Sequence, residues 1–288
     1  MRSSSLYKLA RFEDALAYVD LCDELQPNQP TTPRMRGLIL LRLKRFDEAL
    51  VANRRAYDLD PNDHEVCNNI GDSLLSLGHA DQSLEWFDKA LAQKPEFVVG
   101  FTNKASALAQ LHRFDEAFAI YDHLKATGSN TPMGIWNLSL IQMLTGDFEA
   151  GWAGREARWE AMAPAYPNIS QPKWLGQESI EGKTIVVHTD EGMGDCIQFA
   201  RYLPMMVERG AHVILVVAAP LVPLLSGVKG VSQCFSSGTV PPFDMHCPMG
   251  SLPLAFQTRL DSIPAEVPYL PFTSGGPAAG LGGPPRLS

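Results

Sequence analysis

The hydrophobic pattern of this chain changes character near Ala163. Before that point apolar positions follow helical spacing, and one six-residue string keeps returning. Arg11-Phe12-Glu13-Asp14-Ala15-Leu16 comes back as Arg45-Phe46-Asp47-Glu48-Ala49-Leu50. It returns from His79 to Leu84, then as Arg113-Phe114-Asp115-Glu116-Ala117-Phe118, with a weaker copy at Asp147, Phe148 and Glu149. Each step is 34 residues. Pro27, Pro61 and Pro95 keep the same interval, each just after a predicted helix that a proline cannot continue. Gly37 and Gly71 recur in the first helix of a unit, and Ala56 and Ala90 in the second, where small residues admit a neighbouring helix.

Thirty-four residues is the tetratricopeptide period. A helical hairpin of that length cannot bury its own apolar face, so neighbours stack into a superhelix. The predicted fold is therefore an α-helical tetratricopeptide-repeat solenoid over residues 1–163, with units at about 30–63, 64–97, 98–131 and 132–165. A partial unit precedes them and lacks its first helix, as a truncated start or a non-standard cap would leave it. Asn69, Asn103 and Asn137 occupy one position of three successive first helices, and stacking aligns them on the inner face. An amide carries both donors and an acceptor, so such a ladder suits the backbone of an extended peptide. The alternative is three asparagines that simply face water. Met35 breaks the ladder one repeat earlier, and Arg34 with Arg36 could attract an acidic group there. Asn68, Thr102 and Trp136 supply too little positive charge for a carboxylate clamp. The expected partner is a polypeptide in the concave groove.

After residues 164–182, a connector stiffened by Pro164, Pro167 and Pro172 and docked by Trp174-Leu175-Gly176, the pattern becomes that of a parallel α/β sheet. Thr184 to His188 is a short, nearly unbroken apolar run, as expected for a strand covered on both faces. Glu191-Gly192-Met193-Gly194-Asp195 is a glycine-bearing loop, and a helix is expected from about Asp195 to Glu208. Strands are expected at His212 to Val217, near Val231 to Phe235 and from Phe243 to Cys247, with a short helical stretch from Leu221 to Leu225. Strand, loop, helix, strand makes residues 183–270 a Rossmann-like lobe. Gly192 and Gly194 fit the start of a dinucleotide fingerprint, but Ile197 holds its third position and Ala218-Ala219 stand where a ribose-binding acid belongs. That excludes a nicotinamide dehydrogenase. Asp195 reads as a helix N-cap or as a general base, roles that are compatible. His188, closing the first strand, is expected to face the ligand edge, as a bystander rather than a catalytic group. Arg201 is a candidate phosphate contact, with an exposed helix charge as its alternative.

The run Glu191 to Tyr202, the run Pro242 to Pro253, and the later Ile263-Pro264 and Pro268-Tyr269-Leu270 resemble bacterial tetratricopeptide-repeat glycosyltransferase-like proteins. Those are similar to O-linked N-acetylglucosamine transferases and to heptosyltransferases, whose Gly-Asp matches Gly194-Asp195. The resemblance implies one lobe of a GT-B fold, a nucleotide sugar as donor, no separate cofactor, and Asp195 as acceptor-side base. It also matches Asn69, Asn103 and Asn137 to the inner asparagine ladder of the O-linked N-acetylglucosamine transferases. Such families carry a second lobe, whereas residues 271–288 read here as a disordered Gly/Pro tail. A truncated or frame-shifted reading frame would give that ending. The resemblance thus implies glycosyltransferase character that is incomplete in this chain, or active once a second lobe completes it.

Charge and composition narrow the classes further. The net charge of -8, most of it in the repeats, leaves no footprint for nucleic acid or for an anionic membrane. Cys22, Cys67, Cys196, Cys234 and Cys247 are scattered and odd in number, which speaks against disulfides and zinc and for a reducing cytoplasm. The N-terminal residues lack an apolar signal core, and the apolar run Val213 to Leu225, broken by Pro220 and Pro223, is too short to span a bilayer. Asp58-Leu59-Asp60 ends a repeat helix and is expected to be surface rather than a metal motif, and Ser251 sits outside any nucleophile elbow. No metal site is expected.

Overall fold

The computed structural model describes residues 2–162 and 169–270. Pro164, Pro167 and the Gly/Pro stretch 271–288 lie outside the described residues. The chain divides into two compact units between Ile141 and Gln142.

The first unit is a stack of helical hairpins. It opens with α1 (Arg2–Lys8) and α2 (Phe12–Leu25), then α3 (Thr31–Arg42) and α4 (Phe46–Leu59). Next come α5 (His64–Ser76), α6 (Ala80–Gln93), α7 (Val98–Gln110), α8 (Phe114–Ala126) and α9 (Pro132–Leu144). A first helix for the opening repeat, expected to be missing, is present as α1. Leu6 and Tyr7 pack on the apolar cluster of α2, α3 and α4, and Tyr7 meets Phe12 edge to face.

The period is visible in the backbone itself. Ala10, Lys44, Gly78, His112 and Gly146, each 34 residues from the next, all have positive φ between 55° and 96°. This left-handed residue reverses the chain between the two helices of every hairpin. Following it, Arg45 and Arg113 each pair with a glutamate three residues on, in the first turn of the second helix. Inside two of the hairpins the crossing is set by a glycine facing a larger residue. A Cβ on Gly37 would come within 2.1 Å of Asn53, and one on Gly71 within 2.5 Å of Phe87.

The second unit begins with α10 (Phe148–Arg155) and α11 (Arg158–Ala161), read from sequence as the end of the repeats. The unit boundary precedes residue 163 because these helices build their contacts on the sheet: Trp152 packs on its core, and its indole N–H donates to the Thr258 carbonyl. Residues 169–182 are likewise part of this unit. Trp174 is buried, donates its backbone N–H to the His246 carbonyl at 2.8 Å, and Gly176 seats against the Ala255 carbonyl with φ 96°.

Four parallel strands form the sheet: β1 (Thr184–His188), β2 (His212–Val216), β3 (Val231–Phe235) and β4 (Met245–Pro248), in the order β3-β2-β1-β4. β1 is central and its Ile185, Val186 and Val187 are buried, which explains its unbroken apolar run. After β1 come α12 (Met193–Phe199) and α13 (Leu203–Glu208), separated by a 3-10 turn at Ala200–Tyr202. The expected single helix from Asp195 is therefore two pieces starting earlier. Pro204 has no N–H to return to the preceding turn, and the chain tightens there. Short helices α14 (Val222–Leu225) and α15 (Leu252–Ala255) complete the unit. Among the described residues no helix is long and apolar enough to cross a membrane.

Candidate functional site

The inner face of the hairpin stack is made by its first helices. Successive first helices α3, α5 and α7 approach one another more closely than successive second helices do, as elements on the inside of a curve must. Asn69 on α5 is nearly buried, while Asn103 on α7 and Asn137 on α9 are half-buried. Each of the last two reaches back one repeat: Asn103 Nδ2 donates to Asn68 Oδ1 at 3.0 Å, and Asn137 Nδ2 to Ser106 Oγ at 3.4 Å. One amide hydrogen is thus spent on joining repeats. An amide carries a second N–H and a carbonyl oxygen besides.

Arg34 and Arg36 do not offer the acidic-group contact expected of them. Arg34 is engaged by Glu65 and Asp63, and Arg36 by Asp20. Acidic residues at the neighbouring helices α2 and α5 hold both.

The tetratricopeptide repeat family matches residues 1–64 and again residues 64–97. The first unit is a tetratricopeptide-repeat solenoid. A thermophilic tetratricopeptide protein of Thermus thermophilus superposes with a TM-score of 0.51 at 18% identity, over 56% of this chain and 89% of that one. PilW, a type IV pilus biogenesis factor, gives 0.50 at 23% identity, over 57% and 76%. A tetratricopeptide protein of Parabacteroides merdae gives 0.50 at 16%, over 57% and 64%. Likeness at these identities speaks to fold alone. Among curated proteins, FlbA of Caulobacter vibrioides is 28% identical over 131 residues, which is 44% of this chain. The chain spans about a fifth (22%) of that relative's length.

In the second unit, the sequence-predicted residues around the β1 loop scatter among different tasks. Gly192 precedes the first turn of α12, and Asp195 stands three residues inside that helix, where its Oδ2 accepts the Gly192 N–H at 3.1 Å. Asp195 is therefore not the N-cap; the helix starts two residues earlier than the sequence suggested. Met193 is exposed, and a Cβ on Gly194 would meet nothing within 4 Å, so the outer side of this loop is open. His188 closes β1 under cover rather than at an open surface. It is buried, its ring stacks on His246 at 5.2 Å, and His188 Nε2 lies 3.1 Å from His246 Nδ1. Burial lowers the proton affinity of both rings, that of His246 to about 4 with help from His188 and Lys173. Arg201 contacts backbone instead of waiting for phosphate: it donates to the Gln198 and Pro264 carbonyls and lies over the Tyr269 ring at 4.8 Å. It pins the segment after α15.

What the sequence reading missed is a buried ionic cluster at the carboxyl ends of β1 and β4. These two strands flank the point where the strand order reverses, the crevice in which open parallel sheets take ligands. Arg158 from α11 fills it and is fully buried. All five of its N–H groups are used. Nε and one Nη reach Asp190 Oδ2 at 3.1 and 2.5 Å, and that same Nη reaches Ser251 Oγ at 2.8 Å. The other Nη donates to Glu156 Oε1 at 2.8 Å and to the Arg155 carbonyl. Ser251 in turn donates to Glu156, Lys173 donates to Glu156 Oε2, and Gly250 N–H donates to Asp190 Oδ1. Burial pushes the Glu156 carboxyl up, but Arg158, Lys173 and Ser251 outweigh it and hold the group below the usual range. Arg155 pairs with Glu191, whose carboxyl burial still raises. Asp190 directly after an apolar strand was the available signal; Arg158, 32 residues away in sequence, gave none.

None of the predicted loop residues lines the cavity of about 330 Å³ bounded by Glu149, Trp152, Leu254 and Arg259. Asp60 accepts the Asn62 N–H, as a helix-end turn requires. Among the described residues no three His, Cys, Asp or Glu side chains are placed to hold a metal ion.

Proposed function

We propose that the tetratricopeptide unit binds an extended stretch of polypeptide along its inner face. The observation that carries this reading is the alignment of Asn69, Asn103 and Asn137 on first helices close enough to bond to one another. A backbone running across them meets an amide at each repeat, and binding by backbone groups needs no particular side chains. The test uses the whole chain and a pool of labelled twelve-residue peptides in fluorescence anisotropy. Replacing Asn69, Asn103 and Asn137 together by Ala is expected to weaken binding by about tenfold or more, near 1.4 kcal/mol. Circular dichroism is read alongside to confirm that the helices persist. Unchanged affinity in a folded triple variant defeats the reading.

A second reading concerns the sheet unit. Four parallel strands with a Gly192-Met193-Gly194-Asp195 loop after the central one are what one lobe of a GT-B glycosyltransferase would have. In that reading a nucleotide sugar is the donor, Asp195 is the acceptor-side base, and the sheet unit is one of the two lobes that such a fold uses. Arg158 weighs against a donor at the switch-point crevice, because its guanidinium already occupies it. This chain alone is expected to give no turnover of nucleotide-sugar donors; measured turnover by the purified chain would contradict that expectation.

A further inference from the structure

The inner face changes chemistry from one repeat to the next, and equivalent positions show how. Two helical turns apart, on the stripe that carries each asparagine, Glu65, Val99 and Met133 are equivalent, and so are Asp72, Ser106 and Leu140. The stripe is thus acidic on α5 and apolar on α9, which carries no charged residue at all. Val99, Met133 and Leu140 are 52%, 41% and 43% exposed. The cations of α3 and α7 are all committed: Arg34 to Glu65 and Asp63, Arg36 to Asp20, Arg42 to the Tyr7 hydroxyl and Lys104 to Asp88. Asp72 is different. It is half-buried and, among the described residues, has neither an ion pair nor a hydrogen bond to its carboxylate. Burial raises its proton affinity, which only the distant pull of Arg42 opposes.

Resting on the groove reading above, we infer that the polypeptide taken by this face is basic at one end and apolar at the other. A Lys or Arg of that segment neutralises Asp72, and the following apolar residues cover Val99, Met133 and Leu140. A half-buried carboxylate without a partner favours a cation strongly, because the low dielectric that penalises it also strengthens the pair. The apolar side chains at the other end gain from the ordinary removal of surface from water. An acidic segment in the same place would oppose Asp72 and, among the described residues, find no unpaired Lys or Arg on α5, α7 or α9.

Three labelled ten-residue peptides test the inference on the full chain: Lys/Arg followed by Leu/Met, Asp/Glu followed by Leu/Met, and a Ser/Gly control. The basic–apolar peptide is expected to bind at least about tenfold tighter than the acidic one. Asp72→Asn, an isosteric change, is expected to remove most of that preference and most of its salt dependence, and Leu140→Ser to weaken the basic–apolar peptide without changing its salt dependence. Acidic–apolar peptide binding as tightly as basic overturns the inference and leaves the groove reading intact. So does a preference that survives Asp72→Asn. If none of the three peptides binds, the groove reading fails and the inference fails with it.

Discussion

Arg158 shows how much of the sheet unit depends on one side chain. Three of its five hydrogen bonds tie α11 to Asp190 after β1 and Ser251 after β4, and Asp190 and Glu156 have their main buried cation in it. Removing one member of such a group leaves the others buried and uncompensated, at a cost of about 3–5 kcal/mol. Arg158→Met is therefore expected to destabilise the sheet unit by that amount in urea unfolding followed by tryptophan fluorescence. Arg158→Lys, which keeps the charge but not the fork, is expected to recover only part of the loss. Unchanged unfolding in the Met variant would mean that the cluster is not closed as described.

The histidine pair makes a prediction about pH. Unfolding returns both rings to an ordinary value near 6.5, while in the folded chain His246 titrates near 4. Between these values the unfolded chain holds more protons than the folded one, so stability falls as pH drops from about 6.5 toward 4. Glu191, raised by burial, contributes with the opposite sign at the lower end of that window. Comparison with His246→Gln isolates the imidazole effect. The difference in Tm between pH 7 and pH 5 is expected to shrink in the variant; an unchanged difference contradicts the account. Neither His188 nor Arg201 could be placed from sequence. Strand alternation gives the face on which His188 lies, but what covers that face comes from residues 58 positions later in the chain.

At the scale of elements, packing of the hairpins turns on single small residues. Gly71→Val would drive a side chain into Phe87 and is expected to cost about 1–3 kcal/mol in thermal melting of the repeat unit. The left-handed turn residues make the reverse prediction. Lys44→Gly and His112→Gly relieve a non-glycine residue at φ 58° and 57°, and each is expected to stabilise by up to about 1 kcal/mol. A loss of stability in both would show that those turns relax otherwise. The repeat elements were legible because one pattern is written several times over: Gly37 with Gly71, Pro27 with Pro61 and Pro95. The strands were legible too, within two residues at their ends. The start of α12 was not, because Asp195 is an equally good residue at the cap and three positions inside, and only the fold of the preceding loop decides between them. The helices α10 and α11 carry repeat-like residues yet serve the sheet, a difference made by tertiary contacts such as Trp152 with Thr258.

For the whole molecule, the proposed function places polypeptide binding on the inner face of stacked first helices. NMR of the labelled chain, titrated with the basic–apolar peptide, tests that assignment most directly through the side-chain amide signals of Asn69, Asn103 and Asn137. Those signals and the backbone of α5, α7 and α9 are expected to shift together in saturable fashion, with the second helices α4, α6 and α8 little affected. Shifts confined to the second helices, or absent from all three asparagines while the peptide binds, would contradict it.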